Sequence, residues 1–294
     1  IAEVATVYVA YAGDLELLRL AQETLQSQRA SLDLTQRRLE AGASSQLDVH
    51  RAQTTVETAR ADVARYTALT AQDENALALL LGAPVPETLR PTNFDAIAFG
   101  AADLPPALPS QVLLNRPDII AAEHELRASN AYIGAARAAF FPSISLSGSA
   151  GQIDPSFENL FAGAGDSWSF TPRITIPIFS GGANIARLAG ARTDGDIAVA
   201  QYERSIQVAF REVADALAER GTIGEQVSAR EALVQAASGS YDISEARYRE
   251  GIDSYLGLLD AQRQLYAAQQ QLVAARVARA ANFVTLYRTL GGGA

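Results

Sequence analysis

Apolar side chains recur every seventh residue through most of this chain. Leu18, Leu25, Leu32 and Leu39 keep that spacing, as do Val227, Val234, Tyr241 and Tyr248. After a glycine the run resumes at Val49, Val56, Val63, Thr70 and Leu77, and again at Leu258, Leu265, Leu272, Arg279 and Leu286. A seven-residue period predicts coiled-coil helices, and the flanking alanines let neighbouring helices approach closely. The breaks at Gly42 and Gly251 predict tight helical hairpins. Each glycine takes the left-handed conformation that closes one helix, and Ser45 or Ser254 can cap the next. The helix leading into Gly251 traces back to Ala183, which is about 67 residues or roughly 100 Å.

Two stretches follow a different rule. Residues 140–152 and 167–179 alternate apolar and polar side chains with period two. Ile144 and Leu146 oppose Ser143, Ser145 and Ser147; Trp168, Phe170, Ile174, Ile176 and Ile178 oppose Ser169, Thr171, Arg173 and Thr175. The alternation predicts a β-hairpin. Its polar side could face water while the other packs on helices, yet long helices offer little flat surface and a lone hairpin is barely stable in water. The alternative is a slice of a transmembrane β-barrel, apolar toward lipid and polar toward a wet lumen. About ten residues suffice for a tilted membrane strand. Open strand edges are forbidden in lipid, so several chains would share one barrel.

The chain also repeats itself. Residues 37–53 (RRLEAGASSQLDVHRAQ) match residues 246–262 (ARYREGIDSYLGLLDAQ), with Gly42 and Gly251 separated by 209 residues. The same offset pairs Glu3, Val4 and Ala5 with Glu212, Val213 and Ala214, and Leu81–Gly82 with Leu290–Gly291. Duplication of one large unit is expected. The second copy is preceded by the strand-like region and the first is not, so a longer polypeptide with an earlier hairpin is expected. The resulting organisation is a first helical hairpin (1–82), a Pro-rich linker or strap (83–114), a helix opening at NRPD (115–139), a β-hairpin (140–180) and a second long helical hairpin (183–291).

Composition narrows the chemistry. The net charge of −9 disfavours a nucleic-acid partner. The absence of cysteine removes disulfides, thiolate metal sites and thiol catalysis. No apolar run reaches the length of a spanning helix. His50 and His124, the two histidines, have no partner at metal-ligand spacing, so no metal, cofactor or catalytic site is expected.

The segments NRPDIIAAEHELRASNAYIGAARAAFFPSISLSGSAG (residues 115–151), SWSFTPRITIPIFSGG (167–182) and RYREGIDSYLGLLDAQRQLYAAQQQL (247–272) carry a family likeness. The chain resembles the outer membrane factors, the TolC-like exit ducts of tripartite pumps in Gram-negative bacteria, and is most similar to their OprM-like lipoprotein branch. That resemblance implies a mainly α fold with a small β part. Long coiled-coil helices would form a periplasmic α-barrel tunnel, and the strands a share of a transmembrane β-barrel, in a homotrimer. It implies no enzyme. It implies a periplasmic adaptor and an inner-membrane RND transporter as partners, an outer-membrane location with the tunnel in the periplasm, and efflux of drugs or toxic compounds. A lipidated N-terminal cysteine is a further expectation of the family.

The resemblance also implies where the duct closes. Leu256 and Asp260, four residues apart on one helix face, would form an apolar ring and an acidic ring in a trimer. Carboxylates crowded in such a ring would have raised pKa values. Tyr248 and Arg249 would act as latches between helices. The first copy places Arg51 opposite Asp260 and Asp48 opposite Gly257, so the two turns differ chemically and an asymmetric gate including Asp48 is expected. The turns themselves, at Glu40, Gly42, Ser44, Glu250, Gly251 and Asp253, would dock the adaptor. Ile144, Leu146, Trp168, Phe170, Ile174, Ile176 and Ile178 would face lipid. Two alternatives remain: the outer-membrane channel of a type I protein secretion system, and a soluble periplasmic coiled-coil adaptor or scaffold.

Overall fold

A computed structural model describes residues 1–91, 94, 115–153, 155 and 166–292. The elements run in the order α1 (Ala2–Glu40), α2 (Gln46–Leu81), α3 (Pro117–Ala138), β1 (Ser143–Gln152), β2 (Asp166–Thr175), α4 (Ala183–Arg249) and α5 (Tyr255–Thr289), with a short 3-10 turn at Glu87–Leu89. The chain divides into two units, one of Ile1–Arg116 with Ala209–Ala294 and one of Pro117–Val208. Most of the expected strap, residues 92–93 and 95–114, lies outside the described residues.

In the first unit the internal repeat is visible in backbone hydrogen bonds. The Gly42 amide donates to the Leu39 carbonyl at 2.9 Å and the Ala43 amide to Arg38 at 2.7 Å; Gly251 donates to Tyr248 at 3.0 Å and Ile252 to Arg247 at 2.9 Å. Both glycines have positive φ, 73° and 76°, as do Gly82 and Gly291 at the second helix ends. Four helix ends are thus closed by the same left-handed device at the 209-residue offset.

The α2 seam is as its period predicts: Val49, Val56, Thr70 and Leu77 are buried. On α1 the burial centre is displaced. Ala21, Gln28 and Thr35 are buried, whereas Leu18, Leu25, Leu32 and Leu39 are only half-buried. On α5, Leu258 and Leu286 are buried and Arg279 is exposed. Small side chains mark the closest approaches between helices. At Gly13 a Cβ would overlap Val277 Cγ2 on α5. Ala209, Ala216 and Ala268 are similarly buried.

Short apolar clusters hold the unit together. Val9, Ala12, Ala280 and Val284 pack with Phe94, and Tyr11 and Leu77 pack with Val85. Residues just past α2 therefore lie against the helices, and Arg90 adds an ion pair to Glu74 at 2.6 Å. Asn282, fully buried on α5, donates to the Ala216 carbonyl at 2.9 Å and to Glu219 at 3.0 Å on α4. Arg116 is buried and pairs with Glu212 at 2.7 Å while donating to the Thr289 carbonyl at 3.1 Å.

The second unit holds α3, the β-hairpin and the start of α4. Pro117 occupies the first turn of α3, and the Asp118 carboxylate accepts from the Ile119 amide at 3.0 Å, as the NRPD signal predicts. Asn184 on α4 donates to the Ala139 carbonyl at 2.9 Å.

The two strands pair antiparallel over ten residues each. They are shorter than the alternating stretches. Pro142 immediately precedes β1, and Pro177 lies two residues past the end of β2. Phe140 and Phe141 instead lie in the turn that follows α3, their amides donating to the Arg137 and Ala138 carbonyls. Ile176 and Ile178, expected on the strand's lipid face, lie past the ladder's end at Thr175. β2 begins at Asp166, one residue before the stretch expected from the alternation.

Candidate functional site

Two places gather side chains that the helical scaffold does not consume: the pair of helix turns, and the hairpin. At the turn between α1 and α2, Ser45 is the N-cap of α2. Its hydroxyl accepts from the Asp48 amide at 3.2 Å, and its amide donates to the Asp48 carboxylate at 3.3 Å, a reciprocal capping box. Ser44 and Arg51 also approach that carboxylate, at 3.4 and 3.6 Å. Asp48 is thus engaged within its own turn.

The second turn lacks this device. Gly257 stands where Asp48 would be, and Ser254, though in cap geometry, makes no side-chain cap bond, contrary to the expectation that it caps α5. A different clamp replaces it: Arg247 grips Asp253 with two bonds of 2.5 and 3.0 Å. These bonds hold the Asp253 carboxyl below its ordinary range and push the Arg247 guanidinium up.

Tyr248 is buried, and its hydroxyl lies 3.0 Å from Thr35 Oγ1 on α1, an inter-helix bond of the latching kind. Sequence reasoning missed its second partner. Arg38 of α1 donates to the Tyr248 carbonyl at 2.6 Å and stacks its guanidinium 4.7 Å from the ring centre. Tyr255 meets Tyr248 edge-on at 5.6 Å. The signal that could have found Arg38 is the repeat itself, because Arg247 is its counterpart and has an acid six residues on, whereas Arg38 has Ser44. Arg249 pairs with Glu245 one turn back on its own helix, at 2.7 Å, and is exposed; among the described residues it joins no second helix.

Leu256 and Asp260 lie on one exposed face of α5, opposite the buried Leu258, Leu259 and Tyr255. Asp260 accepts from Gln264 at 2.8 Å. Both are free to meet another chain. Glu40, Gly42, Glu250 and Gly251 are exposed and Ser44 and Asp253 partly so, at the turns where the sequence puts them.

Behind the turns runs a polar layer. Thr55 donates to Gln28 at 2.8 Å, and Gln262 is buried beside them; a cavity of about 160 Å³ opens next to it, lined by Gln28, Tyr241, Gln262, Tyr266 and neighbours. Tyr266 donates to Asp62 on α2 at 3.0 Å, and Gln270 to Tyr66 at 3.2 Å. Farther from the turns, burial raises the carboxyl of Asp14 against the lowering effect of its hydrogen bond with Asp73, and burial together with the neighbouring Asp14 pushes Asp73 up to about 6. Among the described residues no cluster fits a metal ion, and His50 and His124 are both exposed on separate helices.

The hairpin register completes the picture. Ile144 pairs with Ile174, Leu146 with Pro172, Gly148 with Phe170 and Ala150 with Trp168, so one face is apolar over four successive pairs; it ends at Gln152, which donates to Asp166 at 3.2 Å. Ser145 pairs with Arg173, Ser147 with Thr171 and Ser149 with Ser169, whose hydroxyls are 2.8 Å apart. Every strand residue is exposed, Trp168 at 79%. No helix among the described residues is long and apolar enough to cross a membrane.

A sequence profile described as "Outer membrane efflux protein" matches residues 1–83 and 108–292. The chain belongs to the outer membrane efflux protein family. It is 48% identical over 293 residues to the solvent efflux pump outer membrane protein SrpC of Pseudomonas putida, covering 100% of this chain and 62% of that one. It is 44% identical to the outer membrane protein OprJ of Pseudomonas aeruginosa, covering 100% and 61%. A crystal structure of the open state of the MtrE outer membrane channel of Neisseria gonorrhoeae superposes with a TM-score of 0.76 at 37% identity, over 99% of this chain and 66% of that one. The chain therefore spans about three fifths of the length of the curated relatives it matches. The family and the relatives named here are outer membrane efflux proteins, a class of channels and not of enzymes. Its mainly helical fold with a small sheet is the fold of these channels.

Proposed function

We propose that this chain is part of a homotrimeric outer-membrane channel, the passive exit duct of a tripartite pump for drugs, solvents or other toxic small molecules. The hairpin carries the reading. A ten-pair ladder whose one face is apolar from Ile144–Ile174 through Ala150–Trp168 and polar at the end pair Gln152–Asp166, with every residue exposed, is out of place in water and suits a slice of barrel wall. Two strands leave open edges, which lipid does not tolerate, so copies of the chain supply the rest of the barrel. The helices support the same conclusion. Phe210 and Leu217, seven residues apart on α4, are about half exposed and await a neighbouring helix.

The tunnel formed by α1, α2, α4 and α5 lies in the periplasm and closes at the turns. Leu256 and Asp260 form its constriction, Tyr248 holds α4 to α1, and Arg249 and Asp48 sit at the contacts between hairpins. Glu40, Gly42, Ser44, Glu250, Gly251 and Asp253 receive a periplasmic adaptor, which couples the duct to an inner-membrane RND transporter. The partner transporter supplies energy and selection. The relatives are outer membrane proteins of solvent, toluene and antibiotic efflux pumps, which supports small-molecule export over protein secretion. The exposed apolar hairpin face weighs against a soluble scaffold.

The test is extraction of the full-length protein. It is expected to leave outer membranes only with detergent, to run as a trimer, and to form ion-conducting pores in planar bilayers. Release into buffer as a monomer would overturn the reading.

A further inference from the structure

We infer that Arg38 is the clasp that holds the second helical turn against the first, and that the residue six positions further along decides whether it does so. The proposal rests on the reading of the turns as the gate and adds a positioning residue to it. Three contacts converge on Arg38. Its Nη1 donates to the Tyr248 carbonyl at 2.6 Å. Its guanidinium stacks on the Tyr248 ring at 4.7 Å. A Cβ at Gly251 would sit 3.4 Å from Arg38 Nη2, so the guanidinium fills the space beside that turn. The bonded carbonyl belongs to the last turn of α4, where the helix dipole concentrates negative charge and a cation is favourable.

The internal repeat explains why this arginine is available. Its counterpart, Arg247, has Asp253 six residues on and is captured within its own turn by two hydrogen bonds. Arg38 has Ser44 at the matching position, which offers no charge, so the same side chain reaches across to the other hairpin. One duplicated arginine thus has two fates. In the second copy it rigidifies its own turn; in the first it ties two turns together. A bidentate carboxylate is a stronger partner for a guanidinium than a single carbonyl oxygen. An acid at position 44 is therefore expected to withdraw Arg38 from Tyr248.

The decisive variant leaves Arg38 in place. In the full-length trimer, spin labels at Glu40→Cys and Glu250→Cys, diluted among unlabelled protomers, report the separation of the two turns, and planar bilayers report conductance. Ser44→Asp and Arg38→Ala are expected to shift the label distance upward and broaden it. Ser44→Asn, of the same size without the charge, and Arg38→Lys, which keeps a donor, are expected to stay near the parent distribution. Unchanged distances in both Ser44→Asp and Arg38→Ala would overturn the clasp whatever the conductance does. Longer distances with unchanged conductance would uphold the clasp and place the constriction away from the turns.

Discussion

Ile144 stands directly opposite Ile174 across the hairpin, and one step along, Ser145 stands opposite Arg173. A single residue of register slip would exchange these faces, so the ladder fixes which side meets which solvent. Placing arginine on the lipid side is costly. Ile174→Arg is expected to lose about 2–4 kcal/mol near the bilayer midplane and to abolish trimer insertion, read as loss of heat-stable trimer from outer membranes. Thr175→Arg, on the face that already carries Arg173, is expected to insert as the parent does.

The exposed Asp260 face gives a second expectation. If three copies bring these carboxylates together beside Leu256, Asp260→Ala combined with Arg249→Ala raises single-channel conductance in planar bilayers. An unchanged conductance would move the constriction elsewhere on the tunnel.

The two turns differ in how they begin the following helix, and stability measurements can read the difference. Ser45→Ala removes a capping box and is expected to cost about 0.5–2 kcal/mol. Ser254→Ala, at the matching position, removes no cap bond and is expected to cost almost nothing. Thermal unfolding followed by helical circular dichroism compares them directly.

Asp14 and Asp73 give a pH dependence of definite sign. Burial first, and then the Asp14 carboxylate, push Asp73 up to about 6 from an ordinary 3.8. The folded chain thus holds this proton more tightly than the unfolded chain. Protonation favours folding, and stability rises as pH falls through 6 and levels off near the unfolded value. The Arg65 cation acts on Asp14 in the opposite direction and does not overturn the shift. Asp73→Asn is expected to raise the unfolding temperature at pH 7 to 8 and to flatten its dependence on pH. The second copy already carries the neutral Asn282 at the matching position.

Much of this was legible in the sequence because it rests on local rules. Gly42 and Gly251 end helices since they alone relieve the left-handed strain, and any reader of the repeat finds them. The α4 span from Ala183 to Arg249 follows from an unbroken period, and the two-faced hairpin from alternation. What was not legible depends on distance between helices. Leu18 and Leu25 on α1 are only half-buried, whereas the polar Gln28 and Thr35 are buried beside apolar residues such as Tyr11 and Leu20, because hydrogen bonds between helices let polar groups into the contact. Alternation extends the strands to 140 and 179, because side-chain character alone does not show where backbone pairing stops, which is at Ser143 and Thr175. Arg38 was invisible to period and motif alike; its role depends on which neighbour competes for it.

Accessibility of the hairpin to two quenchers tests the account most directly. Spin labels placed singly at positions 144, 146, 168, 170 and 174 of the full-length protein in lipid vesicles are expected to collide freely with dissolved oxygen and poorly with a water-soluble nickel chelate. Labels at 145, 147, 169 and 171 are expected to show the reverse. Uniform access of the nickel chelate to both sets would contradict the barrel, and with it the channel.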